Sequence, residues 1–131
     1  MTLEERQLLL IDVSARLPYG VHVHFCNTNI DEKLTEISLG EAITKARHNG
    51  RGNQGLILPY LRPMSSMTDD ERDEFRIIGG VMAHNVQNDS WAIVAFTPEA
   101  YDWLNAHHFD YRGLIEKGLA LEAHAGMYKT E

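Results

Sequence analysis

The residues most able to do chemistry are concentrated in the last third of the chain, where His107 and His108 lie among carboxylates and aromatic side chains. A histidine oriented by a carboxylate can act as a general base. Either histidine, together with Asp102 or Asp110, could therefore serve a hydrolase. No nucleophile elbow, Walker loop or dinucleotide fingerprint accompanies them. The sequence keeps a histidine-dependent hydrolase only as an alternative function.

A second cluster combines an arginine with hydroxyl groups just before a predicted helix. An arginine fork beside a helix N-terminus is a geometry that binds anions, although the acidic first turn after Thr68 opposes an anion there. A second arginine, Arg112, has two histidines and a tyrosine close by in the sequence. We expect no catalytic residue and no cofactor, and we expect the ligand-binding residues to be Arg62, Ser65, Ser66, His107, His108, Tyr111 and Arg112.

A metal site is the next hypothesis, because seven histidines are many for this length. His22 and His24 alternate with apolar residues and share one face of a predicted strand. Adjacent histidines such as His107 and His108 rarely both reach one ion, and no C-x-x-C or H-E-x-x-H pattern is present. The sequence therefore predicts no bound metal.

A polar and aromatic patch occupies the same C-terminal stretch as the two histidines. Such a mixture could stack on a base or anchor a partner protein. In the alternative interpretation, Trp103 and Phe109 belong to the core and Asp110 caps a last helix. The alternative is favoured for Trp103 and Phe109, and less so for Tyr111 and Arg112.

Length and composition limit the class of protein. The 131 residues, 44% hydrophobic, are enough for one domain spanning 1–131. A net charge of −7 disfavours nucleic acid, whose binding needs clustered Lys and Arg; the best basic stretch, Lys45–Arg51, is short. One cysteine, no long apolar run and a polar N-terminus predict a cytoplasmic protein with no membrane contact.

The first half of the sequence predicts a small sheet after one helix. Thr2 caps that helix and Pro18–Gly20 ends it. Val21–Phe25 alternates as a half-buried strand, and Lys33–Leu39 is its expected return strand. Residues 47–55 form an expected mobile loop, and Leu56–Leu58 a short strand cut by Pro59.

The second half predicts mainly helices. A capping box at Thr68–Glu71 starts one helix, which Gly79 and Gly80 end. Another helix runs from Thr97 to Ala106. Further expected elements are a turn over Asn85–Asp89, a central strand over Trp91–Phe96, a last helix over Tyr111–Lys117 and an edge strand over Leu119–Leu121.

These elements predict an α+β fold, with a small curled antiparallel sheet or partly open barrel in the first half and packed helices mainly in the second. Strand alternation and helix spacing also predict one contiguous core. Its expected members are Val21, Val23, Phe25, Ile93, Val94, Phe96, Leu104 and Leu114.

Three motifs carry a family resemblance: Ala15–Val21, Pro59–Thr68 and Asp102–Ala123. Together they resemble a family of small uncharacterised proteins of Bacteroides phages and prophages. The resemblance implies a phage or mobile-element origin and an intracellular setting. It implies no activity and no catalytic residue.

The sequence favours a non-enzymatic phage accessory protein that acts by binding. We expect counter-defence capture of a small anionic, nucleotide-type ligand, or of a host protein. A homo-oligomer is expected, because a symmetric interface would bring copies of each arginine together. The alternatives are a nucleic-acid-binding regulator and the histidine-dependent hydrolase.

Overall fold

The computed structural model describes residues 2–26, 28–40 and 57–128. The helices are α1 (Leu3–Arg16), α2 (Asp69–Ile77) and α3 (Pro98–Ala106). Two short 3-10 turns follow α1 and precede α2, at Leu17–Tyr19 and Met64–Ser66. The strands are β1 (His22–Phe25), β2 (Ile30–Lys33), β3 (Ile57–Leu61), β4 (Val81–Asn85), β5 (Ser90–Ala95) and β6 (Leu121–Glu122).

Four of these strands form an open sheet in the order β2-β1-β3-β6. β1 pairs antiparallel with β2 and β3, while β6 pairs parallel with β3. β4 and β5 form a separate antiparallel hairpin. The α+β class is confirmed, and the sheet of the first half gains its fourth strand from the C-terminal region.

Local capping signals in the sequence are confirmed. Thr2 and Thr68 each accept a backbone N–H bond from a glutamate three residues later, whose side chain bonds back to the cap. Thr97 caps α3 in the same position, ahead of Pro98. Among the described residues, no helix is long and apolar enough to cross a membrane.

Two predicted strands of the first half are corrected in the structure. The return strand is Ile30–Lys33, and Thr35 instead caps a helical segment over residues 36–40 through reciprocal bonds with Ser38. Pro59 does not cut the third strand. Proline lacks a backbone N–H, but β6 pairs with β3 only at Tyr60 and Leu61, so no bond to β6 is lost at Pro59. The expected loop at 47–55 and the basic stretch Lys45–Arg51 lie outside the described residues.

The expected last helix over Tyr111–Lys117 is a series of turns instead. Gly113 adopts a left-handed conformation with φ of 73°, which a helix cannot continue through. The carboxylate of Asp110 accepts the backbone N–H groups of Leu114 and Ile115. Asp110 therefore caps a turn.

The expected central strand is also wrong. β5 pairs only with β4 among the described residues. The inward side chain of Ile93 is partly buried, whereas Val94 is 64% exposed, and Phe96, directly after the strand, is 41% exposed. A continuous apolar run predicted cover on both faces, but the strand has only one covered face.

The core is divided into two apolar clusters rather than one. Val21, Val23 and Leu114 lie in the first cluster, between α1 and the four-stranded sheet, and Phe25 packs against it. Leu104 lies in the second cluster, together with Phe75. Gly80 permits this packing, because a Cβ there would come within 2.2 Å of the Phe75 ring.

We predict opposite outcomes for two Phe→Ala substitutions. Phe75 is fully buried, so Phe75→Ala should lower the free energy of unfolding by about 3 to 5 kcal/mol. Phe96→Ala, at a side chain 41% exposed, should cost less than half of that. Urea unfolding followed by circular dichroism measures both, and equal losses would contradict the burial of Phe75 and the exposure of Phe96.

Candidate functional site

A polar site forms where β3 ends beside the turn that follows α3. The backbone N–H of Arg62 donates to the carbonyl of His108 at 2.7 Å, and that of Asp110 donates to the carbonyl of Arg62 at 2.8 Å. These bonds extend β3 by one parallel bridge between Arg62 and Phe109. The bridge brings two distant sequence motifs together.

A cavity of about 280 Å³ opens beside this bridge. Its walls come from the start of β1, the end of β2, the end of α3 and the C-terminal segment. Its cationic or ionisable nitrogen-bearing side chains belong to His22, Lys33, Arg62, His107 and His108, and Tyr19 and Tyr128 add phenol rings. No acidic side chain lines the cavity within the described parts of the chain. We refer to it as the histidine pocket.

His108 is the most constrained residue of the histidine pocket. Its side chain is 4% exposed, its φ is 61°, and its ring stacks on Tyr128 at 3.8 Å. Burial, followed by the nearby charge of Arg16, lowers the pKa of His108 to about 3. The imidazole is therefore neutral at physiological pH.

Two buried nitrogen atoms near this position have no hydrogen-bond partner among the described residues, Nδ1 of His108 and Nη1 of Arg16. Buried polar groups are normally paired with protein or water. Nδ1 of His107, by contrast, donates to the carbonyl of Trp103 at 2.9 Å. A ligand or a water molecule could form hydrogen bonds with these two unpaired nitrogen atoms.

Tyr128 holds the C-terminal segment over the histidine pocket. Its hydroxyl accepts from the backbone N–H of His22 at 2.8 Å and donates to the carbonyl of Tyr60 at 2.7 Å. Burial raises the pKa of Tyr128 to about 12, so the hydroxyl keeps its proton. The phenol therefore acts as a fixed wall.

The predicted arginines are both held by carboxylates of the chain itself. Arg62 makes two 2.8 Å bonds to Glu71 and lies 4.2 Å above the Phe109 ring. Burial raises the pKa of Glu71, but the hydrogen bonds from Arg62 and Thr68 outweigh it and lower the pKa below its usual value. Arg62 therefore brings only part of its charge to the histidine pocket.

Arg112 faces the protein interior rather than a pocket. It donates to Asp12 at 2.7 Å and to the Tyr101 hydroxyl at 2.6 Å. Asp12 is fully buried and also accepts two bonds from Arg16, at 2.9 and 3.1 Å. Burial opposes the charge of Arg112, but the bond to Asp12 and nearby groups raise its pKa above the usual value.

The seven predicted ligand-binding residues do not converge on one site. Arg62, His107 and His108 line the histidine pocket. Ser66 lines a neighbouring cavity, which Arg62 also lines, and the Ser66 hydroxyl donates to the carbonyl of Pro63 at 2.6 Å. Ser65 and Tyr111 line a third cavity, on the side of the β4–β5 hairpin.

Sequence reasoning missed Lys33 and Tyr128, and it placed His22 in no ligand site. His22 and Lys33 are register partners on β1 and β2. The alternation of β1 correctly put His22 and His24 on one polar face, but the pairing with Lys33 depends on register. Only a return strand placed at Ile30–Lys33 would have predicted that Lys33 lies opposite His22.

The histidine–carboxylate pairs that the alternative hydrolase would need do not form in the described structure. Asp110 bonds backbone N–H groups, and His107 bonds a carbonyl. A pair that the sequence did not indicate forms instead, with Nδ1 of His24 2.6 Å from Asp31, which also accepts from the Tyr60 hydroxyl at 2.8 Å. Among the described residues, no group of three or more His, Cys, Asp or Glu side chains could hold a metal ion.

Comparison with protein-family models, curated proteins and solved structures finds no match to this chain. The resemblance to phage proteins therefore stays a prediction.

We predict that His108 makes stability depend on pH in mildly acidic solution. The folded chain binds the His108 proton only near pH 3, whereas an ordinary histidine, as in the unfolded chain, has a pKa of 6.5. The unfolded state therefore binds more protons between these values, and lowering the pH below 6.5 favours unfolding. Urea midpoints measured from about pH 7.5 to 5 should fall for the wild type.

His108→Phe keeps a ring against Tyr128 and removes the titrating group, so its midpoint should fall less over this pH range. His124→Phe, at an exposed position, is the matched control and should retain the wild-type slope. An unchanged slope in His108→Phe would show that other groups cause the dependence.

Asp12 gives a second stability prediction. Asp12→Ala leaves the buried charges of Arg16 and Arg112 without their carboxylate, so it should lower the free energy of unfolding by about 3 to 5 kcal/mol. Asp73, whose partner Arg76 is exposed, is the control, and Asp73→Ala should cost less than about 1 kcal/mol. Chemical denaturation of both variants checks the difference.

Proposed function

We propose that the protein binds a small anionic ligand in the histidine pocket. One observation carries the proposal: among the described residues that line the pocket, five carry nitrogen-bearing side chains and none is acidic, although 19 of the 131 residues are acidic. A local concentration of positive and hydrogen-bond-donating groups creates an attractive potential for anions despite an acidic chain.

The chemistry of the lining favours phosphate or carboxylate. Lys33 is exposed at the rim and supplies an ammonium charge. The N–H groups of Arg62 that neither Glu71 nor the Ser66 carbonyl occupies supply directed donors. The unpaired Nδ1 of His108 adds a neutral group that can donate or accept a hydrogen bond, according to its tautomer.

The size of the pocket limits the ligand. A cavity of about 280 Å³ lies near the lower end of the usual range for small-molecule sites. It suits a compact phosphate ester or a mononucleotide better than a dinucleotide. In the phage setting that the sequence resemblance implies, the protein would capture a nucleotide-derived signal as an accessory factor.

Titration with a panel of anions tests the proposal. Inorganic phosphate, pyrophosphate, AMP and cyclic mononucleotides are added to the wild type, and binding is measured by calorimetry and by the rise in melting temperature. Lys33→Gln should weaken binding at least several-fold. Lys117→Gln, at an exposed lysine outside the pocket, is the control and should bind as the wild type does.

Arg112→Ala tests whether Arg112 donates to the ligand, as the sequence predicts, or only stabilises the fold. Because Arg112 bonds Asp12 in the interior, the variant should lose stability while the folded fraction keeps its affinity. No binding of any anion by the wild type, or equal binding by Lys33→Gln, would remove the proposal.

A further inference from the structure

The β4–β5 hairpin presents an apolar face that nothing in the described chain covers. Met82 and Ile93 point inward and pack against the second apolar cluster. The opposite side carries small and β-branched residues that are all exposed. We call this side the outer face, and it consists of Val81, Ala83, Ala92, Val94 and Ala95.

A β-bulge enlarges the outer face. Met82 pairs with Ile93, but Val81 pairs with Ala95, so Val94 is an extra residue in β5. In such a bulge two side chains of one strand oppose one of the other. Val94 and Ala95 are accordingly both exposed, with Val81 opposite them.

The outer edges of the hairpin also have backbone N–H and C=O groups that pair with no further strand among the described residues. Within the described residues neither β4 nor β5 has a second strand partner. A two-stranded sheet is marginal by itself, and open apolar edges and faces promote association. Natural proteins usually protect such edges with charge, but β4 and β5 contain no Asp, Glu, Lys or Arg.

The distribution of charge favours a second copy of the chain as the occupant of the outer face. Of the 31 charged side chains in the chain (12 basic and 19 acidic), only Asp89 falls in the 22 residues from Ile77 to Pro98. Asp89 lies at the hairpin turn, 2.7 Å from Nε2 of His84. Two copies that each carry a net charge of −7 repel each other, so their closest approach favours a surface without charge. A nucleic acid or a basic partner would instead need charge on this surface.

We propose that the protein self-associates through the outer face, with the hairpin of one copy packed on the hairpin of a second copy about a two-fold axis. A two-fold interface uses the same patch on both copies. The five small and β-branched residues suit close sheet-on-sheet packing. This inference does not depend on the anion site.

Sedimentation equilibrium of the full chain tests the inference. The wild type should show a concentration-dependent mass rising toward twice the 14.9 kDa of one chain. Val94→Lys and Val81→Lys should each remain monomeric, because a lysine there loses apolar contact and lies close to its symmetry copy. Both positions are more than half exposed, so the melting temperature at low concentration should not fall.

Ile11→Lys is the matched control, because Ile11 is 56% exposed on α1, away from the hairpin. It should dimerise as the wild type does. Hydrogen exchange at low and high concentration gives a second readout, and amides of residues 81–95 should gain protection as the wild type dimerises. A wild type that stays monomeric at its highest soluble concentration, or a dimer that survives both valine substitutions, overturns the inference.

Discussion

The buried carboxylate of Asp12 is the constraint on which the rest of the structure depends. A lone buried charge is strongly destabilising, so its partners must lie in a defined geometry. Asp12 satisfies this with two guanidinium groups, from Arg16 on its own helix and from Arg112 a hundred residues later. Arg16 also donates to the carbonyl of Phe109 at 2.6 Å. One ionic network therefore fixes the first helix against the turns that follow α3, and it joins the two apolar clusters.

The same network decides which cations remain for a ligand. Arg112 is consumed in the interior, and the Phe109 carbonyl held by Arg16 belongs to the segment that bridges to Arg62. The buried ion pairs therefore fix the position of the histidine pocket. The groups available to a ligand there are those outside the ion pairs, chiefly Lys33 and the histidines. Placing Arg16 close to His108 also helps to lower the pKa of that imidazole, which keeps a neutral, hydrogen-bonding group at the inner wall of the pocket.

Local signals in the sequence predicted local structure well. Contacts between residues far apart in the sequence could not be predicted in the same way. The threonine caps depend on side chains three residues apart, so their helices could be placed from the sequence. The strand Trp91–Phe96 could not be placed correctly, because an apolar run does not reveal how many of its faces are covered. At the site, Arg62, His107 and His108 were chosen separately for their chemistry. Their meeting depends on one parallel bridge between residues 47 positions apart, and neither composition nor periodicity encodes that bridge.

An acidic chain can hold a cationic pocket because many of its carboxylates have local structural roles. Six of the acidic residues lie in the first turns of α1, α2 and α3, where the positive end of each helix dipole favours them: Glu4, Glu5, Asp69, Asp70, Glu71 and Glu99. Asp12 and Asp110 are held by arginines and by backbone N–H groups. The net charge of −7 is thus a sum over sites with separate purposes. It argues against long-range attraction of a polyanion, and it leaves room for a compact anion at short range.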